Sequence, residues 1–284
     1  MDLLLNVLKS IIFGIVQGIT EWLPISSTGH LILLEQYMPL NVFGADMASN
    51  TAFWDMYKVV IQFGSIIAVL LLYWKSLWPF AKDIAPKKQR SILRLWIKIV
   101  IASVPAAILG LLLDDWIDEK MNTAVVVAIF LIIYGIVFIW IERREHSYTT
   151  KSIKEITYKK AFQAGLFQCL SLIPGTSRSG STIIGETLLG FDRPTAAEFS
   201  FYMAIPVMFG ASALKMVKMF MEGVVMNAAA WIVLLVGTLV SFGVSVIVIR
   251  YLMAYIRKHD FQVFGKYRIV LGVLILVLAF FKLI

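Results

Sequence analysis

Apolar blocks about as long as a membrane-spanning helix alternate with short polar loops along this sequence. The hydrocarbon core of a bilayer is roughly 30 Å thick, so roughly 20 apolar helical residues are needed to cross it. Two blocks, residues 121–141 and 229–249, contain no charged residue. Four further blocks are residues 54–74, 92–113, 196–219 and 266–284. Their charges lie mostly near the ends, where long side chains can reach the membrane interface. The pattern predicts six transmembrane helices.

The two remaining apolar stretches, residues 6–38 and 158–190, are interrupted midway by proline, glycine and serine. We expect each interruption to leave two pieces that are too short to cross the bilayer. Interrupted backbone is tolerated at membrane depth only where protein or a polar cavity shields it. The predicted fold is therefore an all-α polytopic membrane protein with six transmembrane helices and two re-entrant pairs of broken helices.

A short motif of the first broken stretch recurs in the second. The pattern Gly-x-x-Gln at residues 14–17 is repeated at residues 165–168. The other matches are Pro24 with Pro174 and, after a one-residue slip, Ser26-Ser27 with Thr176-Ser177. We interpret residues 1–142 and 143–284 as two repeats of one membrane domain, each a re-entrant pair followed by three spans. Because three is odd, the second repeat enters from the opposite face, which makes the repeat inverted. Two kinked structural helices are the alternative.

Composition agrees with a membrane protein, since 60% of the residues are hydrophobic and only 15% are charged, against about 25% charged in soluble domains. The net charge of +8 would suggest nucleic-acid binding in a soluble protein. Here the charges lie between apolar blocks, so we attribute them to membrane orientation and expect no nucleic-acid partner. The single cysteine, Cys169, excludes an internal disulfide framework.

Charge differs between the loops. Basic residues are concentrated in the segments 75–91, 142–160 and 250–268, which share one face if each re-entrant pair returns to its own side. By the positive-inside rule that face is cytoplasmic and both termini lie outside. The opposite face carries the acidic residues Asp114, Asp115, Asp118, Glu119 and Glu222. Asp2 and Glu21 are atypical of a signal peptide, so we expect the N-terminus to be that of the mature protein.

The first break is rich in polar side chains: Gln17, Glu21, Ser26, Ser27, Thr28 and His30. Gln17 and Glu21 are four residues apart and share one face of a helix. The hydroxyl run at 26–28 falls at the start of the next half-helix, where free amides and the helix dipole bind anions. His30 follows by one helical turn. This break therefore predicts an anion site beside a carboxylate.

The second break supplies a guanidinium and small residues. Gly175 and Gly180 allow close backbone approach, and Arg178 can bind a phosphate through two hydrogen bonds. Hydroxyl groups surround the same space: Thr176, Ser177, Ser179 and Thr182. Together the two breaks predict a phosphate-binding cradle next to Glu21.

An ionised group at the centre of a spanning helix costs about 2.5–3.5 kcal/mol on insertion scales and is rarely kept without a role or a partner. For Glu21 and Arg178 the alternatives are a salt bridge that merely joins the breaks and an active site. Other charges in apolar runs are interpreted as partners or interfacial groups: Glu186, Asp55, Lys58 and Glu198. We expect His146 and His259 to be solvated, so no multi-histidine zinc site is predicted.

The two breaks resemble the signature motifs of the undecaprenyl-diphosphatase family, the bacitracin-resistance type. The first motif is met by Gln17 and Glu21 followed by Ser-Ser-x-Gly-His at residues 26–30, and the second by Pro-Gly-x-Ser-Arg-Ser-Gly-Ser at residues 174–181. Length, hydropathy and motif spacing fit over the entire chain. The family pattern accepts glutamine or glutamate at the position of Gln17.

The resemblance implies hydrolysis of undecaprenyl diphosphate to the monophosphate carrier of cell-wall synthesis in the bacterial inner membrane. It also implies a divalent cation, Mg²⁺ or Ca²⁺, and an active site open to the periplasmic or outer face. We expect Glu21 to hold the cation or orient the attacking oxygen, Arg178 to stabilise the phosphoryl charge, and Ser27 to be the nucleophile with His30 as acid or base. Direct attack by water remains open. A homodimer is compatible with the sequence.

Inverted repeats with broken helices are also the architecture of secondary transporters. A carrier or flippase of a phosphorylated lipid is therefore the alternative function. The two hypotheses share one cavity and differ in turnover, because only the phosphatase releases inorganic phosphate.

Overall fold

A computed structural model of the protein describes residues 3–82, 84–145 and 147–284, apart from the side chains of Asp114 and Asp118. The predictions made for Asp2 and His146, and those for the side chains of Asp114 and Asp118, lie outside these described residues. The described chain consists of α-helices and short connections. An all-α fold is therefore confirmed.

The helices within the described ranges are α1 Leu3–Thr20, α2 Ser27–Tyr37, α3 Met47–Val60, α4 Gln62–Leu72, α5 Trp74–Leu77, α6 Pro86–Lys120, α7 Ala124–Glu142, α8 Tyr158–Cys169, α9 Arg178–Leu188, α10 Arg193–Met221, α11 Ala228–Tyr255 and α12 Gln262–Phe280. Several begin at a side chain that accepts a hydrogen bond from the N–H three residues on: Asp46, Thr123, Thr157, Asp192 and Asn227. Such caps satisfy amides that a helix start otherwise leaves unpaired. The helix starts therefore follow from local sequence.

Seven segments of the described chain are long and apolar enough to cross a membrane, judged by length and composition. Six correspond to the predicted transmembrane helices: Met47–Leu72, Pro86–Leu113, Ala124–Glu142, Arg193–Met221, Ala228–Tyr255 and Gln262–Phe280. The seventh is α1, whose 18 residues extend about 27 Å. The prediction that both pieces of the first broken stretch are too short is wrong for α1, because its break comes only after Thr20. It holds for α2, α8 and α9, with 11, 12 and 11 residues.

Each broken stretch folds into a helical hairpin whose two ends lie together. In the first hairpin, formed by α1 and α2, the Asn6 side chain makes two hydrogen bonds to the backbone of Asn41, at 2.8 and 2.9 Å. In the second hairpin, formed by α8 and α9, the N–H groups of Thr149 and Thr150 donate to Gly190 O at 2.9 and 3.0 Å. Each hairpin therefore returns to the end at which it began.

The first hairpin enters the bundle in the direction of α4 and α11. Along α11, α1 places Gly14 against Gly237 and Gly18 against Ser241. The segment formed by α3 and α4 places Ile61 against Gly237 and Ser65 against Ser245 of the same helix. Residue numbers rise together in every pair. The three helices therefore run parallel.

The second hairpin runs the opposite way, together with α6 and α10. The early parts of α6 and α10 lie where α4 ends, as the contacts of Trp96 with Leu77 and of Tyr202 with Tyr73 show. Their far ends meet through Lys218 and Asp115, so α6 and α10 run parallel. The second hairpin follows α6 in the same direction, with Gly165 against Ala102 and Leu172 against Gly110. The two hairpins thus enter from opposite ends of the bundle. This is the arrangement that an inverted repeat requires, and the repeat itself stays a prediction.

Glycines at matched positions let each hairpin approach its supporting helix closely. A Cβ atom on Gly14 would lie 2.6 Å from Gly237 O, and one on Gly165 would lie 2.3 Å from Ala102 O. Only glycine allows helix backbones to come this close. These crossings bring the tips of the hairpins, residues 21–26 and 170–177, to the middle of the bundle.

Candidate active site

The tips of the two hairpins are joined by an ion pair. Glu21 Oε1 accepts a hydrogen bond from Arg178 Nη2 at 3.2 Å, although 157 positions separate the residues. The side chains are only 6% and 10% exposed. The predicted convergence of Glu21 and Arg178 is therefore present in the structure.

Both short half-helices begin with a serine in the left-handed backbone region. The φ angle is +71° at Ser26 and +69° at Ser177. Each serine Oγ accepts a hydrogen bond from the N–H three residues on, from Gly29 at 3.5 Å and from Gly180 at 3.2 Å. A non-glycine residue in this region costs of order 1–3 kcal/mol and persists where the surrounding structure imposes it. The two helix starts are conformationally equivalent.

This equivalence corrects the predicted register of the repeat. The sequence comparison matched Ser27 with Ser177, whereas the helix caps match Ser26 with Ser177. Ser27 therefore corresponds to Arg178, and both are the first residues of their half-helices. The difference arises because the second break holds one more residue between its proline and its cap.

Glu21 accepts hydrogen bonds at both carboxylate oxygens. Oε2 accepts from Gln17 Nε2 at 2.9 Å and from Ser27 Oγ at 3.1 Å, while Oε1 accepts from Arg178. Arg178 also donates from Nη1 to the carbonyl oxygen of Ser200 at 3.0 Å. The carboxylate thus links a hydroxyl of the first hairpin to the guanidinium of the second.

A cavity of about 140 Å³ opens beside this network. Predicted site residues that line it are Glu21, Ser27, Thr28, Gly175, Ser177 and Arg178. The remaining lining residues are Gln62, Ser171, Ile173, Pro174 and Met208. Four of the eleven are serine or threonine, so the wall offers hydroxyl donors to an anion. Chemically, the cavity combines a nucleophile-type hydroxyl, a carboxylate and a guanidinium.

Other predicted binding residues lie behind the cavity wall, where they hold the backbone of the tips. Ser179 Oγ donates to Glu21 O at 3.1 Å. Thr176 Oγ1 donates to Leu170 O at 2.9 Å and to Ile173 O at 2.8 Å. Residues placed in this way are Ser26, Thr176, Ser179, Gly180 and Thr182, whereas Gln17, which also does not line the cavity, bonds to the Glu21 carboxylate. Their contacts are those of supporting groups.

Both ring nitrogens of His30 have partners other than Ser27. Its Nδ1 lies 2.8 Å from Ser26 O and its Nε2 lies 2.6 Å from the hydroxyl of Tyr267. We expected His30 to act as acid or base for the Ser27 hydroxyl, but this hydroxyl donates a hydrogen bond to Glu21 instead. A role for His30 as acid or base stays a prediction.

The structure adds a residue that the sequence interpretation misplaced. Arg268 was assigned to a basic cytoplasmic segment, but it is fully buried. Its guanidinium donates to the carbonyl oxygens of Pro24, Gly175 and Thr176 at 3.2, 2.7 and 2.8 Å. The available signal was its position inside the apolar block that begins at residue 266. Ser200 and Gln62 were also missed, because single polar residues in apolar helices are common.

The other intramembrane charges have mixed surroundings. Asp55 pairs with Lys58, and Glu198 accepts a hydrogen bond from Tyr202, as expected of partner groups. Glu186 is fully buried, and neither of its oxygens has a hydrogen-bond partner within the described chain. It lies eight residues after Arg178 on α9 and does not line the cavity.

A cation at this site would have few protein ligands. The described residues contain no group of three or more His, Cys, Asp or Glu side chains arranged to hold an ion. Magnesium, however, is commonly held by one or two carboxylates together with substrate phosphates. Gln17 Oε1 is buried without a partner among the described residues, and its amide is bonded to Glu21. These two side chains therefore fit a cation that is shared with a phosphate ligand.

Known proteins match this chain over nearly its whole length. A family model described as bacitracin resistance protein BacA matches residues 10–274. Undecaprenyl-diphosphatase 1 of Clostridioides difficile (strain 630) is 53% identical over 283 residues, which cover 99% of this chain and 98% of the relative. The undecaprenyl-diphosphatase of Streptococcus gordonii (strain Challis) is 49% identical over 280 residues, with 98% and 97% coverage. That of Streptococcus thermophilus is 48% identical over 283 residues, with 99% and 96% coverage.

Proposed function

Because this chain belongs to the bacitracin resistance protein family, we propose that it is a phosphatase that hydrolyses undecaprenyl diphosphate to undecaprenyl phosphate and inorganic phosphate. Relatives named undecaprenyl-diphosphatase support this substrate. The structural observation that carries the proposal is the arrangement around Glu21. One of its carboxylate oxygens accepts from Ser27 and the other from Arg178, and all three residues line one cavity.

Ser27 is the proposed nucleophile and Glu21 its base. Their oxygens are 3.1 Å apart, within the range expected for a nucleophile and its base. As the Ser27 oxygen bonds to the terminal phosphorus, its proton passes to Glu21 and the bond from that phosphorus to the bridging oxygen breaks. Undecaprenyl phosphate leaves, and water then hydrolyses the phosphoserine to inorganic phosphate and restores Ser27. This assignment replaces His30 with Glu21 as the partner of the hydroxyl.

Arg178 stabilises the negative charge of the phosphoryl group during transfer. Phosphoryl transfer involves little covalent chemistry for the protein, so positioning and charge stabilisation dominate. In the present arrangement Arg178 is bonded to Glu21 and to Ser200 O. A terminal phosphate in the cavity would compete with Glu21 for the guanidinium. That exchange would free one oxygen of Glu21.

A divalent cation, Mg²⁺ or Ca²⁺, would be held by Glu21 and Gln17 Oε1 together with oxygens of the diphosphate. This site is supported by Gln17 Oε1, which is buried without a hydrogen-bond partner among the described residues and belongs to an amide that is bonded to the Glu21 carboxylate. When bound, the cation neutralises charge on the diphosphate and favours departure of the monophosphate. Glu21 would bind the cation and also accept the hydrogen bond of the Ser27 hydroxyl.

Two alternatives differ from this scheme at defined points. Water could attack the phosphorus directly with Glu21 as its base, and then no phosphoserine would form. A carrier or flippase of a phosphorylated lipid is favoured by one observation, the entry of the two hairpins from opposite ends of the bundle. That function would bind the same headgroup but would not hydrolyse it.

The membrane setting follows from the proposal. We place the protein in the bacterial inner membrane with the basic loops in the cytoplasm, its two inverted halves each contributing one tip, and the cavity open to the outer face. There it would regenerate the lipid carrier for peptidoglycan synthesis and confer resistance to bacitracin. A homodimer is compatible with this arrangement.

The deciding experiment is an assay of inorganic phosphate released by purified protein from undecaprenyl diphosphate in detergent micelles. Release is expected with Mg²⁺ or Ca²⁺ and should fall on addition of a chelator and return when cation is restored. A protein that elutes as a single folded species but releases no phosphate would contradict the phosphatase and favour transport.

A further inference from the structure

Arg268 occupies an unusual position in α12. It lies six residues after the start of the helix, and its side chain is fully buried. Its guanidinium donates one hydrogen bond to the first hairpin, at Pro24 O, and two to the second, at Gly175 O and Thr176 O. A single side chain of a third element thereby ties both tips together.

These carbonyl groups belong to the residues that lead into the two helix caps. Pro24 precedes the cap Ser26 by two positions, and Thr176 directly precedes the cap Ser177. The geometry is tight, since a Cβ atom on Gly180 would lie 2.9 Å from Arg268 Nη1. Arg268 therefore determines where both half-helix N-termini point. Free amides at such termini bind anions.

The charge of Arg268 has no counter-ion among the described residues. Besides the three carbonyl groups, the guanidinium faces the rings of Tyr134 and Phe138, with its carbon 5.5 and 6.0 Å from the ring centres. Arg178, in contrast, is paired with Glu21. A buried unpaired charge is expensive and is rarely kept without a role. The positive charge behind the tips is therefore available to an anion in the cavity.

We propose that Arg268 is a positioning residue of this enzyme: it aligns the two hairpin tips on one diphosphate and adds an unpaired positive charge that strengthens binding of that anion. The inference rests on the proposed function and deepens it. Arg268 does not line the cavity, so it acts through the backbone of the tips and through its electric field rather than by contact with the reacting atoms.

The test compares Arg268→Gln with Arg268→Lys. Steady-state kcat and KM are measured with undecaprenyl diphosphate, and the Kd of inorganic pyrophosphate is measured by calorimetry. Misplacement of the tips should lower kcat about 10²-fold in both variants. Loss of charge should raise the KM and the pyrophosphate Kd about tenfold in Arg268→Gln only, a change equivalent to about 1.4 kcal/mol. Folded Arg268→Gln protein with wild-type kcat, KM and Kd would overturn the proposal, as would equal Kd values in the two variants.

If neither Arg268 variant folds, Gly180→Ala is tested, because its Cβ atom would lie 2.9 Å from Arg268 Nη1, closer than its 3.2 Å to Ser177 Cβ, so the guanidinium has to move. Matched controls are Gly210→Ala and Gly243→Ala, whose Cβ atoms would meet no described atom within 4 Å. Reduced kcat in Gly180→Ala alone supports the positioning role, and kinetics equal to those of the controls overturn it. Phosphate release by the wild-type protein tests the proposed function separately. If the wild-type protein releases no phosphate, the pyrophosphate Kd of the Arg268 variants still tests the charge of Arg268.

Discussion

Glu21 and Arg178 lie 3.2 Å apart at the meeting point of two hairpins that enter the bundle from opposite ends. An ion pair whose only role is to join the hairpins would leave no reason for a cavity or a hydroxyl beside it. Here Ser27 donates to the same carboxylate, and all three residues line the cavity. The pair is therefore best understood as part of a reaction site.

Removal of either member of this pair should abolish phosphate release. Glu21→Gln loses the base and Arg178→Ala loses the stabilising charge, so each should lower kcat by about 10²–10³-fold or more. The measurement is phosphate release by protein whose elution profile matches wild type. Glu198→Gln and Arg250→Ala are matched controls outside the cavity. Turnover within about twofold of wild type in Glu21→Gln or Arg178→Ala would exclude that residue from the chemistry.

Ser27 can be tested cleanly because the helix cap is Ser26. Ser27→Ala should abolish turnover and incorporation of ³²P from labelled substrate, whereas Ser171→Ala, at another serine that lines the cavity, should retain both. Ser26→Ala should instead lower stability by about 1 kcal/mol.

Detection of phosphoserine at position 27 after rapid acid quench would establish covalent catalysis. Turnover that persists in Ser27→Ala with no labelled protein in wild type would favour direct attack by water.

Gln17 should control the affinity for the cation. Because its free Oε1 lies next to Glu21, Gln17→Leu is expected to raise the half-saturating Mg²⁺ concentration about tenfold, while Gln17→Glu should keep or lower it. Gln62→Leu, which changes another glutamine at the cavity, is the control. Activity is measured over a Mg²⁺ titration from chelated protein. An unchanged titration in Gln17→Leu would remove Gln17 from the cation site.

Orientation in the membrane can be tested with single cysteines in a Cys169→Ser background. Position 87, at the start of α6 in the basic segment 75–91, should be protected from a membrane-impermeant thiol reagent in intact cells. Position 222, on the acidic face, should be labelled. Permeabilised cells provide the control, since both positions should then react. The reverse pattern would place the basic loops outside.

Local sequence was sufficient for most of the secondary structure. Membrane-length apolar blocks and capping residues act within a few positions of the chain, so six spans and both breaks were predictable. The exact position of the first break decided that α1 is of spanning length. The motif residues were predictable in kind, because a carboxylate, a guanidinium and hydroxyls inside apolar sequence are rarely kept without a role.

The individual hydrogen-bond partners of these residues could not be read from the sequence. The sequence alone determined which residues are chemically exceptional, among them Glu21, Ser27 and Arg178. The tertiary structure decided their partners. Ser27 bonds to Glu21 rather than to His30, and Arg268 is a buried residue that hydrogen-bonds to both tips rather than a basic residue of a cytoplasmic loop. The reason is physical. Hydropathy and capping depend on neighbours in the chain. The turn that brings Ser27 to Glu21 and the packing that brings Arg268 to Pro24, 244 positions away, depend on how the whole chain folds.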